Sequence, residues 1–192
     1  LIFQWRGIEG GYLRLYDNNK IISFGTAFAS LKSIASYLQI DSNDAGGSDS
    51  SINLNMDGAF SQLDSIGGYF LVSSNNAMKK WNAAFPSLRF VGGYFRIYNN
   101  DKLSSLGSSF SSLKVIKESF KIDSNDATNR FDIDDQPFAS LESVGTTFDI
   151  INNGGLRWMN NSFPRIVNVK GGLKIQNNAH LLGMENIFES TD

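Results

Sequence analysis

The 192-residue chain has no cysteine and a single histidine, His180. Without thiols there are no disulfides, thiolate nucleophiles or thiolate metal sites. One imidazole excludes any catalytic or metal arrangement that needs two. Charge of one sign is lacking too: 17 Lys+Arg stand against 19 Asp+Glu, a formal net charge of -2. That balance gives no electrostatic drive toward nucleic acid or anionic membranes. No run approaches the roughly 20 apolar residues of a membrane span. The first five residues hold no initiator Met and no basic-then-apolar signal pattern, and the last four form no lipidation motif. The expectation is an internal piece of a longer chain, with any signal or anchor outside it.

What is present is a repeat. Phe3, Phe28, Phe60, Phe85, Phe110, Phe138, Phe163 and Phe188 recur every 25 residues, apart from two longer intervals after Phe28 and Phe110. The cleanest copy reads Phe85-x-x-Leu88-x-x-Val91-Gly92-Gly93-x-Phe95-x-Ile97-x-Asn99-Asn100-x-x-Leu103. This predicts one solenoid over 1–192, with rungs beginning near 3, 28, 60, 85, 110, 138, 163 and 188. The apolar pairs Leu13/Leu15, Leu38/Ile40, Phe70/Val72, Phe95/Ile97, Phe120/Ile122, Phe148/Ile150 and Leu173/Ile175 alternate with period two. Alternation means a short strand with one buried face. The Phe-x-x-Leu-x-x-Ile stretch has period three and suggests a 3₁₀ or tight helical turn on the opposite side. A rung this short cannot bury its own apolar face, so the unit of stability is the array.

Asn18, Asn43, Asn75, Asn100, Asn125, Asn153 and Asn178 each follow the second strand apolar by three positions. The chain must turn there, and buried peptide groups need partners. A side-chain amide both donates and accepts, so a structural asparagine ladder is expected. The pairs Gly10-Gly11, Gly67-Gly68, Gly92-Gly93 and Gly171-Gly172 precede strands and suggest tight bends.

These residues are similar to leucine-rich repeats and more closely resemble the receptor L-domain-like repeat, found in ligand-binding lobes of growth-factor receptors and in fungal cell-wall proteins. The resemblance covers essentially the whole chain. It implies an α/β-type, right-handed solenoid, mostly strand and turn, with one short parallel strand per rung. It also implies an extracellular or cell-surface recognition or cell-wall role, and it brings no catalytic residues or cofactor.

Outward strand positions are where a solenoid binds. All six tyrosines fall on them: Tyr12, Tyr16, Tyr37, Tyr69, Tyr94 and Tyr98. Arg14 and Arg96 lie between Tyr pairs, and Arg and Tyr are frequent interface anchors. These eight residues are the candidate partner-binding set. A plain ladder of rings, stacked for its own sake, is the competing reading.

The two longer rungs share the string Asp-Ser-Asn-Asp-Ala, at Asp41 and at Asp123. Asp41, Asp44, Asp123, Asp126, Asp132, Asp134 and Asp135 offer oxygen ligands for calcium, but their spacing matches no calcium loop, so they are read as solvated turns. No metal is assigned. Two carboxylates in a cleft, as hydrolysis needs, are not evident, and the chain is read as a non-enzyme. His180 is expected to be exposed, and Trp81 to pack in the core, in one column with Phe24, Met56, Leu106, Met159 and Met184. Asn160-Asn161-Ser162 is the one glycosylation sequon, modified if the chain is secreted in a eukaryote.

The expected function is a recognition or adhesion module that binds a protein or glycan through the strand face. The alternative is a structural subunit whose uncapped ends meet copies of itself in a filament or wall layer. A weaker third, a surface-lattice binder, draws on Ser30, Ser87, Ser112 and Ser140, with interruptions at Gln62 and Arg165.

Overall fold

A computed structural model describes residues 10–43, 54–126 and 130–188; Phe3, Asp44 and the last four residues lie outside them. The chain is a parallel β-solenoid. Seven four-residue strands, Leu13–Tyr16, Leu38–Asp41, Phe70–Ser73, Phe95–Tyr98, Phe120–Asp123, Phe148–Ile151 and Leu173–Gln176, form one sheet in chain order. The pairing is in register throughout: Leu13 faces Leu38, which faces Phe70, and so on to Leu173.

A second sheet of two-residue strands runs beside it, from Ser33–Ile34 through Ser65–Ile66, Phe90–Val91, Val115–Ile116 and Ser143–Val144 to Asn168–Val169. It grows from the period-three segment, where the sequence suggested a helical turn. Among the described residues there is no helix. The reason lies in where the peptide groups go. Leu31, Leu63, Leu88 and Leu113 each donate back three residues to the preceding Phe carbonyl, closing one turn. The next N–H groups then leave the rung: Arg89 donates to Asp64, Lys114 to Arg89 and Glu142 to Lys114. Capture by the neighbouring rung stops the helix after one turn. The third side is looser, held by Phe131–Asp132 against Leu156–Trp158 and by isolated bridges such as Lys80 to Ser105.

Two aromatic ladders fill the core. Phe28, Phe60, Phe85, Phe110, Phe138 and Phe163 stack at centroid distances of 4.8–5.5 Å. Phe70, Phe95, Phe120 and Phe148 stack at 4.7–5.3 Å. The ladders meet edge to face, as at Phe95 and Phe110, 4.9 Å apart and 86° inclined. Both geometries suit the ring quadrupole. Trp81 is fully buried against Phe85 and Phe110.

At Gly67-Gly68 and Gly92-Gly93 the chain bends and one rung closely approaches the next. A Cβ on Gly67 would overlap the Ala35 carbonyl oxygen, and one on Gly92 would overlap that of Gly67. Neither backbone is left-handed, so lack of bulk rather than rotational freedom is what the position uses.

Candidate functional site

The asparagine ladder sets the edge of the strand face. Asn75 shows the pattern. Its N–H and Nδ2 both donate to Asn100 Oδ1, at 3.1 and 3.3 Å. Nδ2 also donates to Ser73 O in its own rung (2.8 Å) and Ile40 O in the previous one (3.0 Å). Asn43, Asn100, Asn125 and Asn153 repeat this, linking Asn18 to Asn178 in one chain of amides. The residue just before each ladder Asn is left-handed, from Asp17 (φ 53°) and Ser42 (54°) to Asn152 and Asn177 (57°). The turn therefore needs a residue type that tolerates positive φ and an amide beside it.

On the outward side of the long strands four tyrosines form one continuous stack. Tyr12–Tyr37, Tyr37–Tyr69 and Tyr69–Tyr94 are 4.6, 4.4 and 4.7 Å apart, with planes within 7° of parallel. Ring faces inside the stack are consumed by neighbours, so the stack presents edges and hydroxyls. Tyr69 OH donates to Gln39 Oε1 at 3.1 Å. Burial, with the neighbouring Tyr94 and Tyr37, pushes the Tyr69 hydroxyl up to about 12. Burial also raises Tyr94.

Tyr16 and Tyr98 stand outside the stack, each beneath an arginine. The Arg14 guanidinium lies 4.1 Å from the Tyr16 centroid and that of Arg96 lies 4.0 Å from Tyr98, within cation–π range. Arg14 Nη2 is 3.2 Å from Asp41, and Arg96 Nη2 is 2.9 Å from Asp123. Burial alone would raise Asp123, but hydrogen bonds from Ser124, Lys121, Arg96 and Asn152 outweigh it and hold the carboxyl below its ordinary value. The structure thus places all eight candidate residues on one face, as a tyrosine stack and two arginine–tyrosine pairs.

Three acidic residues of the second longer rung are engaged elsewhere. Asp126 Oδ1 accepts from Gly154 N at 2.7 Å, and Asp132 pairs with Arg130. Burial raises Asp132. Asp135 accepts from Ser105 Oγ at 3.2 Å. His180 is exposed and contacts Gly154 O. Asn160 lies in a turn, its Oδ1 accepting from Glu185 N at 2.8 Å, while Ser162 is buried with its hydroxyl on Ile133 O and Met159 O.

Sequence reasoning missed the second sheet's outward columns. Lys32, Asp64, Arg89, Lys114 and Glu142 follow one another along it, with Arg89 paired to Asp64 and Lys114 Nζ 3.6 Å from Glu142. Lys32, Asp64 and Arg89 line a shallow depression with Ser33, Gln62, Ser65, Ser87 and Ser112. The signal was available as the residue after each Leu of the period-three segment. Among the described residues no helix is long and apolar enough to cross a membrane. Comparison with known proteins finds no matching family model, no similar curated protein and no similar solved structure.

Proposed function

We propose that the chain is a non-enzymatic recognition module that binds a protein through the tyrosine-bearing strand face, at the cell surface or outside the cell. One observation carries this reading. The tyrosine column stops at Tyr94, yet the sheet continues in unbroken register through Ser119, Thr147 and Gly172 at the same position. A strand of this sheet forms without tyrosine there, so the ring stack is surplus to what the fold requires. Exposed aromatic and arginine side chains on a rigid scaffold are what a protein partner uses as anchors. A glycan is the weaker fit, because sugars pack on aromatic faces and those within the stack are occupied. The resemblance to receptor L-domain-like repeats points to the same class of role and location.

The test is a selection of displayed peptide libraries on the immobilised chain, repeated on the variant Tyr37→Ser/Tyr69→Ser/Tyr94→Ser. Binders that enrich on the parent and are lost on the variant are expected. Equal retention on both would remove the reading.

A further inference from the structure

Rungs one and four carry one constellation twice. Arg14 covers Tyr16 and Arg96 covers Tyr98. In both cases the following rung supplies the carboxylate, Asp41 or Asp123. Those two aspartates open the shared Asp-Ser-Asn-Asp-Ala string, which no other rung contains. The register joins Arg14 through Gln39 and Leu71 to Arg96 in a single column. The clusters therefore lie three rungs apart, about 14 Å at ~4.8 Å per rung. The constellation recurs at a three-rung separation, in outward side chains that the core does not dictate.

We propose that the two clusters are paired subsites for an extended acidic polypeptide with carboxylates four residues apart. This rests on the reading of the strand face as a protein-recognition surface. An extended chain rises ~3.4 Å per residue, so four residues span about 14 Å, and side chains i and i+4 point the same way. Each guanidinium is already positioned, by the ring it lies over and the aspartate at its edge. Asp41 takes Nε and Nη2 of Arg14, and Asp123 takes Nη2 of Arg96. The Nη1 donors are left for a ligand carboxylate, and a held arginine loses little freedom on binding.

Gln39 and Leu71, both half-buried, fill the column between the two sites. They offer an amide and an apolar contact to the residues between the two acids. Charge points the same way. The column Arg14, Gln39, Leu71, Arg96, Lys121, Asp149, Lys174 holds four cations and one carboxylate. Asp41 balances Arg14 in the first cluster, while the second sets Arg96 and Lys121, 3.1 Å from Asp123, against that carboxylate, with Asp149 beside Lys121 on the next strand.

The experiment is a nuclear magnetic resonance titration of the isotopically labelled chain with three synthetic peptides rich in threonine and valine. One carries glutamates at i and i+4, one at i and i+3, and one carries a single glutamate. The expected result is joint movement of the Arg14 and Arg96 Nε–H signals, with the i, i+4 peptide binding about tenfold tighter than the other two. Arg96→Gln should reduce that peptide to the single-acid level, with the remaining spectrum confirming the fold. Equal affinity for all three peptides, or indifference to Arg96→Gln, overturns the proposal. If all three move the tyrosine-face signals equally, the spacing fails and the recognition surface stands. If none moves any signal of the face, the paired subsites fail, and the library selection decides the recognition reading independently.

Discussion

The outward face of rungs one to four and that of rungs five to seven are built on the same backbone ladder and carry different side chains. The first half has the stacked Tyr12, Tyr37, Tyr69 and Tyr94; the second has Ser119, Thr147 and Gly172. The inward face shows no such division. Phe70, Phe95, Phe120 and Phe148 stack straight across the boundary, fully buried. Inside, the side chain is dictated by the rung above and the rung below. Outside, the fold accepts glycine, serine or tyrosine, so a run of tyrosines there calls for a cause other than the sheet.

The largest effect that sharpens this contrast is expected inside. Phe95→Ala removes a ring stacked on Phe70 and Phe120 and edge-on to Phe110 and Phe138. A loss of about 3–5 kcal/mol in denaturant unfolding is expected. Next comes the ladder. Asn100→Ala leaves the buried Val72 carbonyl and the part-buried Tyr98 carbonyl short of a donor and the Asn75 amide without its acceptor. About 2–4 kcal/mol is expected, since each stranded buried group costs ~1–3 kcal/mol and the neighbours relax in part.

A third effect is pH-dependent. Tyr69 keeps its proton to about 12 in the fold, against 10.0 ordinarily. A group whose folded pKa is raised contributes its stability fully below the unfolded value and loses it as pH climbs through the folded one. Stability should therefore decline between pH 10 and about 12, and Tyr69→Phe should remove that part of the decline. Ultraviolet titration should show a tyrosine ionising late. Smallest of all is the second sheet's outward pair: Lys114→Ala should change stability by no more than about 0.5 kcal/mol, because Lys114 and Glu142 are both about half exposed. A larger loss would mean that the outer columns are not free to vary.

The fold was legible because its signals are periodic. Eight phenylalanines in phase, alternating apolar pairs and an unbroken asparagine column can arise together only where rungs stack. What escaped was set by neighbours rather than by spacing. The segment after each Phe reads as a tight turn by its period of three, and that turn forms, but the N–H groups of Arg89 and Lys114 are then taken by the adjacent rung, and a strand follows it. The glycine pairs read as bends, and Gly67-Gly68 and Gly92-Gly93 do bend, but the room they leave for the Ala35 and Gly67 carbonyls depends on the neighbouring rung. Positive φ before each ladder Asn was signalled by Asp17, Ser42, Ser74, Asn99, Ser124, Asn152 and Asn177, all small and polar.

For the candidate site, outward placement followed from alternation alone. The loss of ring faces to stacking did not, because it depends on rotamers that only neighbouring rungs fix. The Arg14–Asp41 and Arg96–Asp123 pairings were hidden for a similar reason, since each joins residues one rung apart.

The claim that the tyrosine face is surplus to the fold meets its most direct test in denaturant unfolding of Tyr37→Ser/Tyr69→Ser/Tyr94→Ser beside Phe95→Ala. The expected result is one cooperative transition for the triple variant, with a loss of about 1–3 kcal/mol spread over three ring contacts, smaller than that of Phe95→Ala alone. A triple variant that fails to unfold cooperatively, or loses more than Phe95→Ala, would mean that the outer stack holds the solenoid together and that its presence needs no partner to explain it.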